Sequence, residues 1–149
     1  MDLVYEQNLL PRVLMSIVAL MLIVGPAKAD FNETHATNPL WPPHARFHVV
    51  WQVLYNACVS CITLYLLWQA SADYATHLYL AAVLNFCWGL NFYLTIFAMP
   101  LFGGALKDVN GIKPFRFNFG DRHIEVDTNL FGGTFLMLLN LSALLLIEA

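Results

Sequence analysis

Charged residues and cysteines are scarce in this sequence. Only 11% of its 149 residues are Asp, Glu, Lys or Arg, against about 25% in a typical soluble domain. The seven Lys and Arg residues form no run and the formal net charge is −3, so nothing in the charge pattern points to a nucleic acid partner. The cysteines, Cys58, Cys61 and Cys87, lie in apolar segments, which excludes the dense disulfide framework of a small secreted domain.

Apolar residues are abundant instead. Hydrophobic residues make up 59% of the chain, and the mean hydropathy is +0.61. Four apolar segments approach or exceed the ~20 residues that a helix needs to cross ~30 Å of hydrocarbon. We therefore predict an all-α membrane protein, a four-transmembrane-helix bundle that forms one domain over residues 1–149. The helices are predicted at about 9–27, 43–69, 72–99 and 129–147.

Local residues mark where the helices begin and end. Gly25-Pro26 predicts the end of the first helix, and Pro43 suits the first position of the second. Ser71 is expected to cap the third helix, because its oxygen can accept hydrogen bonds from the free N–H groups of a first turn. Capping oxygens for the fourth helix are expected from Asp127, Thr128 and Asn129.

The first segment has a second interpretation. Arg12, the apolar run after it and the sequence Ala27-Lys28-Ala29 resemble a signal peptide with its cleavage site. Asp2 and Glu6 do not fit the positively charged start of such a peptide. We therefore predict a retained helix, and we expect it to pack on the outside of the bundle as an anchor because it carries few polar residues.

Two long loops, at about 28–42 and 100–128, are predicted on the same side of the membrane. The positive-inside rule places these loops in the cytoplasm, although the signal-like start argues for the opposite orientation. Of the basic residues, only Arg12 falls on the other side. The rest lie on or beside the long loops: Lys28, Arg46, Lys107, Lys113, Arg116 and Arg122.

The third loop contains a pattern typical of a β-hairpin. Residues 115–119 and 123–127 alternate apolar and polar side chains, with Gly120-Asp121 near the turn. We expect its apolar side to lie against the membrane surface or to cover one mouth of the bundle. That side carries Phe115, Phe117, Phe119, Ile124 and Val126.

A row of polar residues runs along the second helix. Residues four apart are neighbours on a helix surface, so the row forms a slanting polar ridge. Lipid offers no hydrogen-bond partners, and we expect the ridge to face the bundle interior. Interhelical hydrogen bonding and a ligand pocket both account for it. The row consists of His44, His48, Gln52, Asn56 and Ser60, followed by Thr63.

Amides on the third and fourth helices match this ridge. The function we predict is therefore binding of a small, lipophilic ligand or substrate in a polar pocket between helices two, three and four, opening under the two long loops. Arg46 could pair with an anionic head group, and His48 is the candidate acid–base group if the protein is an enzyme. The predicted binding residues are His44, Arg46, Gln52, Asn56, Asn85, Asn91 and Asn140.

An alternative function belongs to a different class. The chain could be an accessory or assembly subunit of a larger membrane complex, with its intramembrane amides as helix–helix contacts to a partner subunit. Transport comes third, because the segments offer no intramembrane carboxylate or cation for coupling.

The His44 and His48 pair has a spacing that can hold one metal ion, or a haem, on one helix face. The same pair could instead form hydrogen bonds at a pocket mouth or to the loop backbone, so the spacing does not establish a cofactor. A third ligand would have to come from the loops: Glu33, His35, His123, Glu125 or Asp127.

Cys58 and Cys61 form a C-x-x-C pair, a spacing that redox enzymes use for a reversible disulfide. No second pair exists to relay electrons. We therefore interpret the two cysteines as small, buried packing residues.

The first loop carries a recognisable segment, Asn38-Pro39-Leu40-Trp41-Pro42-Pro43-His44-Ala45-Arg46-Phe47-His48. It resembles the loop of an uncharacterised group of short four-helix membrane proteins. The resemblance implies the same layout of helices, and it implies no established function.

Overall fold

The computed structural model of the chain describes residues 7–107 and 111–147, and these ranges contain four long helices and one β-hairpin. Each of the four helices is long and apolar enough to cross a membrane. In chain order the elements are α1 (Leu9–Asp30), α2 (Pro43–Trp68), α3 (Tyr74–Phe102), β1 (Phe115–Phe119), β2 (Arg122–Val126) and α4 (Thr128–Leu145).

The helices form a ring in which each packs against the next, and α1 closes the ring by packing against α4. Helix α1 also contacts α3 across the centre. The expectation that the first helix is an outer anchor is therefore wrong. Its residues Met15, Val18 and Ala19 are fully or almost fully buried. The prediction relied on the few polar residues of this helix. Low polar content does not indicate an outer position, because apolar side chains face both lipid and protein in a membrane bundle.

Arg12 fixes the start of α1 to the end of α2. It is 1% exposed, and its Nε donates a hydrogen bond to the Leu67 carbonyl oxygen at 2.9 Å. Its guanidinium carbon lies 4.1 Å from the centre of the Trp68 ring, within the range of a cation–π interaction. The Trp68 Nε1 in turn donates to the Ser16 hydroxyl at 2.9 Å.

The helix ends differ from prediction at two places. Helix α1 continues through Gly25-Pro26 to Asp30, because surrounding protein allows a membrane helix to tolerate proline. Helix α3 begins after Asp73, and the Ser71 hydroxyl accepts from the Asp73 N–H at 3.1 Å instead of capping the first turn. The cap predicted for the fourth helix is confirmed, since Asp127 accepts hydrogen bonds from two N–H groups of α4.

The predicted hairpin is confirmed, with its second strand starting one residue early, at Arg122. The antiparallel register pairs Phe115 with Val126 and Phe117 with Ile124. Cross-strand partners project from the same face of a sheet. The hairpin therefore has one apolar face, and its aromatic side chains are exposed.

The base of the hairpin rests on α4. The Phe115 ring lies 5.2 Å from the Phe131 ring in an edge-to-face contact. On the opposite, polar face, the Arg116 Nε donates to the Glu125 carboxylate at 2.8 Å. The contact between Phe115 and Phe131 therefore joins the apolar face of the hairpin to the outer surface of α4.

Candidate functional site

The polar groups of the bundle fall into two sets, and the first set forms hydrogen bonds between helices. The Asn85 amide of α3 donates to the Met15 carbonyl oxygen and to the Asn140 side-chain oxygen, both at 3.2 Å. The Asn140 amide of α4 donates back to the Ala82 carbonyl oxygen at 2.9 Å. Both asparagines are buried. Asn140 therefore holds helices together in the core, where the sequence predicted a ligand-binding role.

The second set consists of Gln52 and Asn56 on α2 and Asn91 on α3. These three residues, together with Asn85 of the first set, line a cleft of about 540 Å³ between these two helices, which we call the amide cleft. Within the described residues, none of the three side chains forms a hydrogen bond. Further along the ridge on α2, Ser60 is buried but still lines the cleft, whereas Thr63 is buried and lies outside it.

Aromatic rings form an apolar wall of the amide cleft. The Trp88 and Phe92 rings of α3 are stacked, with centres 5.6 Å apart and planes 6° from parallel. Gly133 of α4 makes room for this stack, because a Cβ atom there would lie 2.9 Å from the Phe92 ring. The cleft thus combines side-chain amides that form no hydrogen bond within the described residues with a flat apolar surface.

A central cavity of about 400 Å³ adjoins the cleft and reaches all four helices. Gln52, Asn56 and Trp88 line both spaces, so the two lie side by side. Helix α4 contributes to this central cavity through Gly132 and Gly133. The polar cleft itself lies between α2 and α3, with Leu22 of α1 in its wall.

A third space of about 630 Å³, the loop cavity, lies between the first and third loops. It shares Asp30 and Asn129 with the central cavity. Three adjoining cavities are thus arranged from the polar loops to the middle of the helices. Charged side chains of both signs, including Lys28, Glu33 and Lys107, line the loop cavity.

His35 lies in the loop cavity, although the sequence suggested it only as a spare metal ligand. Its Nδ1 lies 2.7 Å from the Thr34 hydroxyl and 3.8 Å from an Asp30 carboxylate oxygen. Its ring meets the Trp41 ring edge to face at 5.1 Å. The spacing of these residues in the sequence does not predict the contacts of His35, because the fold of the loop brings Asp30, Thr34 and Trp41 next to it.

The predicted mouth residues lie elsewhere. His44 and His48 are exposed on α2, with their Nε2 atoms 3.0 Å apart in a shared hydrogen bond. Neither they nor Arg46 line any of the three cavities described above. In residues 7–107 and 111–147, no group of three or more His, Cys, Asp or Glu side chains is arranged to hold a metal ion. The five loop candidates therefore supply no third ligand to the pair.

The cysteines also differ from expectation. Cys58 and Cys61 are free thiols and both are exposed, so their interpretation as buried packing residues is wrong. They occupy the outer surface of α2, which an apolar membrane environment covers without protein packing. Cys87 is exposed as well, but it lines the amide cleft.

Four packed helices that are each able to cross a bilayer define a multi-pass membrane protein. The chain belongs to DUF6640, a family of unknown function whose model matches residues 14–124. This match is consistent with the uncharacterised group that the first loop resembles. No curated protein and no solved structure matches the chain.

Proposed function

We propose that this protein binds a small, neutral, lipophilic molecule in the amide cleft. The observation that carries the proposal is the set of three uncommitted amides, Gln52, Asn56 and Asn91, beside the stacked Trp88 and Phe92 rings. A ligand with a hydroxyl or carbonyl group would supply the hydrogen-bond partners that these amides lack, while its apolar part contacts the rings.

The lining of the cleft favours a neutral ligand. No charged side chain lines the cleft among the described residues, and Arg46, the predicted partner of an anionic head group, lies outside it. Cavities of about 300–1,000 Å³ are typical of small-molecule sites. Gln52 and Asn91 are exposed, so the cleft is open between the helices and a ligand can enter from the bilayer.

Native mass spectrometry of the detergent-purified protein tests this proposal. We expect the wild-type protein to carry a neutral lipid, and Asn56→Leu to lose it while remaining folded. Ser142→Leu is the matched control, because Ser142 is an exposed polar residue of α4 outside the cavities. A wild-type protein that is free of ligand would contradict the proposal, as would equal lipid retention by Asn56→Leu.

A role as an accessory subunit is the second candidate. The observation in its favour is a row of exposed aromatic residues on α2, with Phe47, Trp51 and Tyr65 each 58–64% exposed. Aromatic residues are enriched in protein interfaces, although rings near a membrane surface also form the usual aromatic belt. Stable co-purification with a partner protein, lost in Trp51→Ala, would favour this function.

For the orientation, we propose that the long loops face the cytoplasm. The buried Arg12 is held by Leu67 and Trp68, so the remaining basic residues, on or beside the long loops, dominate the charge bias. Labelling of a cysteine placed at Lys113 by an impermeant reagent tests this. We expect labelling only after the membrane is broken, and labelling of intact cells would contradict the orientation.

A further inference from the structure

We propose that His35 accepts a hydrogen bond, through its Nε2 atom, from a hydroxyl group at the polar end of the bound lipid. The hydroxyl-bearing end would lie in the loop cavity, and the rest of the molecule, which carries the group that meets the amides, would extend through the central cavity toward the amide cleft. This inference rests on the proposed function and names its ligand class, a neutral lipid with a hydroxyl-bearing head.

The tautomer of His35 follows from its neighbours. The Asn32 side-chain amide nitrogen donates to the Lys28 and Ala29 carbonyl oxygens at 3.0 and 2.8 Å, which fixes the other amide atom as oxygen. That oxygen lies 2.6 Å from the Thr34 hydroxyl. The hydroxyl must donate its single hydrogen there, because two unprotonated oxygens at this distance would repel each other.

The Thr34 hydroxyl can then only accept from His35, at 2.7 Å from Nδ1. The Nδ1 atom therefore carries the ring proton, and the nearby Asp30 carboxylate at 3.8 Å favours that arrangement. In the neutral ring Nε2 is left with its lone pair. Contact with Trp41 holds the ring in place. His35, which lines the loop cavity, thus retains one hydrogen-bond acceptor at Nε2.

The surroundings of His35 indicate which head group fits. Lys28 and Lys107 line the loop cavity together with Asp30 and Glu33, so charges of both signs are balanced and an anionic phosphate gains no clear preference. Asp30 also lines the central cavity. A single molecule can therefore extend from His35 down toward the amides.

Two substitutions of His35 distinguish the contribution of Nδ1 from that of Nε2. In His35→Asn the side-chain amide can replace the Nδ1 contact to Thr34, but nothing replaces Nε2. In His35→Gln the longer side chain can place its oxygen near the Nε2 position. The probes are monooleoylglycerol, which has hydroxyl groups, and methyl oleate, which lacks them. Their binding to the purified full-length protein is measured by titration in native mass spectrometry.

We expect His35→Asn to weaken monooleoylglycerol binding about fivefold, the worth of one neutral hydrogen bond. His35→Gln should stay within about twofold of wild type, and methyl oleate should be insensitive to both changes. Unchanged monooleoylglycerol affinity in His35→Asn would overturn the role of His35. Equal losses of both probes in both variants would also overturn it, because they would indicate a purely structural residue.

Binding in the amide cleft is contradicted by different results from those that contradict the role of His35. If wild-type protein binds neither probe, or if Asn56→Leu binds both as well as wild type does, the cleft is not the binding site and the inference about His35 falls with it. If Asn56→Leu weakens both probes while His35→Asn weakens neither, only the inference about His35 is overturned.

Discussion

At the scale of single residues, Asn85 and Asn56 show how the same side chain serves two purposes. Asn85 is 4% exposed and hydrogen-bonded to two other helices, whereas Asn56 lines the same cleft without such a partner in the described part of the chain. Sequence reasoning assigned both of them to ligand binding. Their difference depends on which groups the neighbouring helices present, and spacing along one helix does not reveal that.

This difference predicts opposite effects on stability. Asn85→Leu should lower the free energy of unfolding by about 1 kcal/mol, because interhelical hydrogen bonds in membranes contribute roughly 0.6 kcal/mol and at most about 1.7 kcal/mol. Asn56→Leu should leave stability unchanged or slightly raise it. Thermal unfolding in detergent, without added lipid, measures both. A larger loss in Asn56→Leu than in Asn85→Leu would mean that Asn56 is a packing residue.

Arg12 leads to a second prediction at this scale. Its buried guanidinium bonds the Leu67 carbonyl oxygen and stacks on Trp68. Hydrogen bonds from charged groups contribute about 1.5–3 kcal/mol, so Arg12→Ala should destabilise the protein by about 2–3 kcal/mol. The control is Arg116→Ala, because its ion pair with Glu125 is exposed and exposed pairs contribute about 0–1 kcal/mol. Equal midpoints of thermal unfolding for the two variants would refute this role of Arg12.

At the scale of elements, the sequence predicted what depends on local pattern. Length and hydropathy located all four helices, and alternation located the hairpin. Contacts between elements were harder to predict. In lipid an apolar helix face gives no indication of whether it meets protein, so the central position of α1 was missed. In the structure α1 contributes Met15, Val18 and Leu22 to the core.

The apolar face of the hairpin leads to a prediction about its position relative to the membrane. Its apolar face carries Phe119, which is 64% exposed, and this face joins the outer surface of α4 at the Phe115–Phe131 contact. We expect the face to rest on the membrane surface. A fluorophore attached to Phe119→Cys, with the native cysteines replaced by serine, should be quenched by nitroxide-labelled lipid. The same label on Asn118→Cys, on the opposite face, should not. Equal quenching at both positions would contradict this arrangement.

At the scale of the whole molecule, a series of adjoining cavities extends from the loops to the middle of the helices. The loop cavity and the central cavity share Asp30, and the central cavity and the amide cleft share Asn56. No single segment of sequence contains these cavities, because residues from all four helices and two loops enclose them. They could be seen only after the helices were packed.

Protection of Cys87 by a ligand is the most direct test of binding in the cleft. Cys87 lines the cleft, whereas Cys58 is also free and exposed but lies outside it. Two single-cysteine proteins, one retaining Cys87 and the other Cys58, are treated with N-ethylmaleimide at increasing concentrations of monooleoylglycerol. We predict a saturable slowing of modification at Cys87 and no change at Cys58. Equal rates with and without the lipid at Cys87, or equal slowing at both thiols, would contradict binding in the cleft.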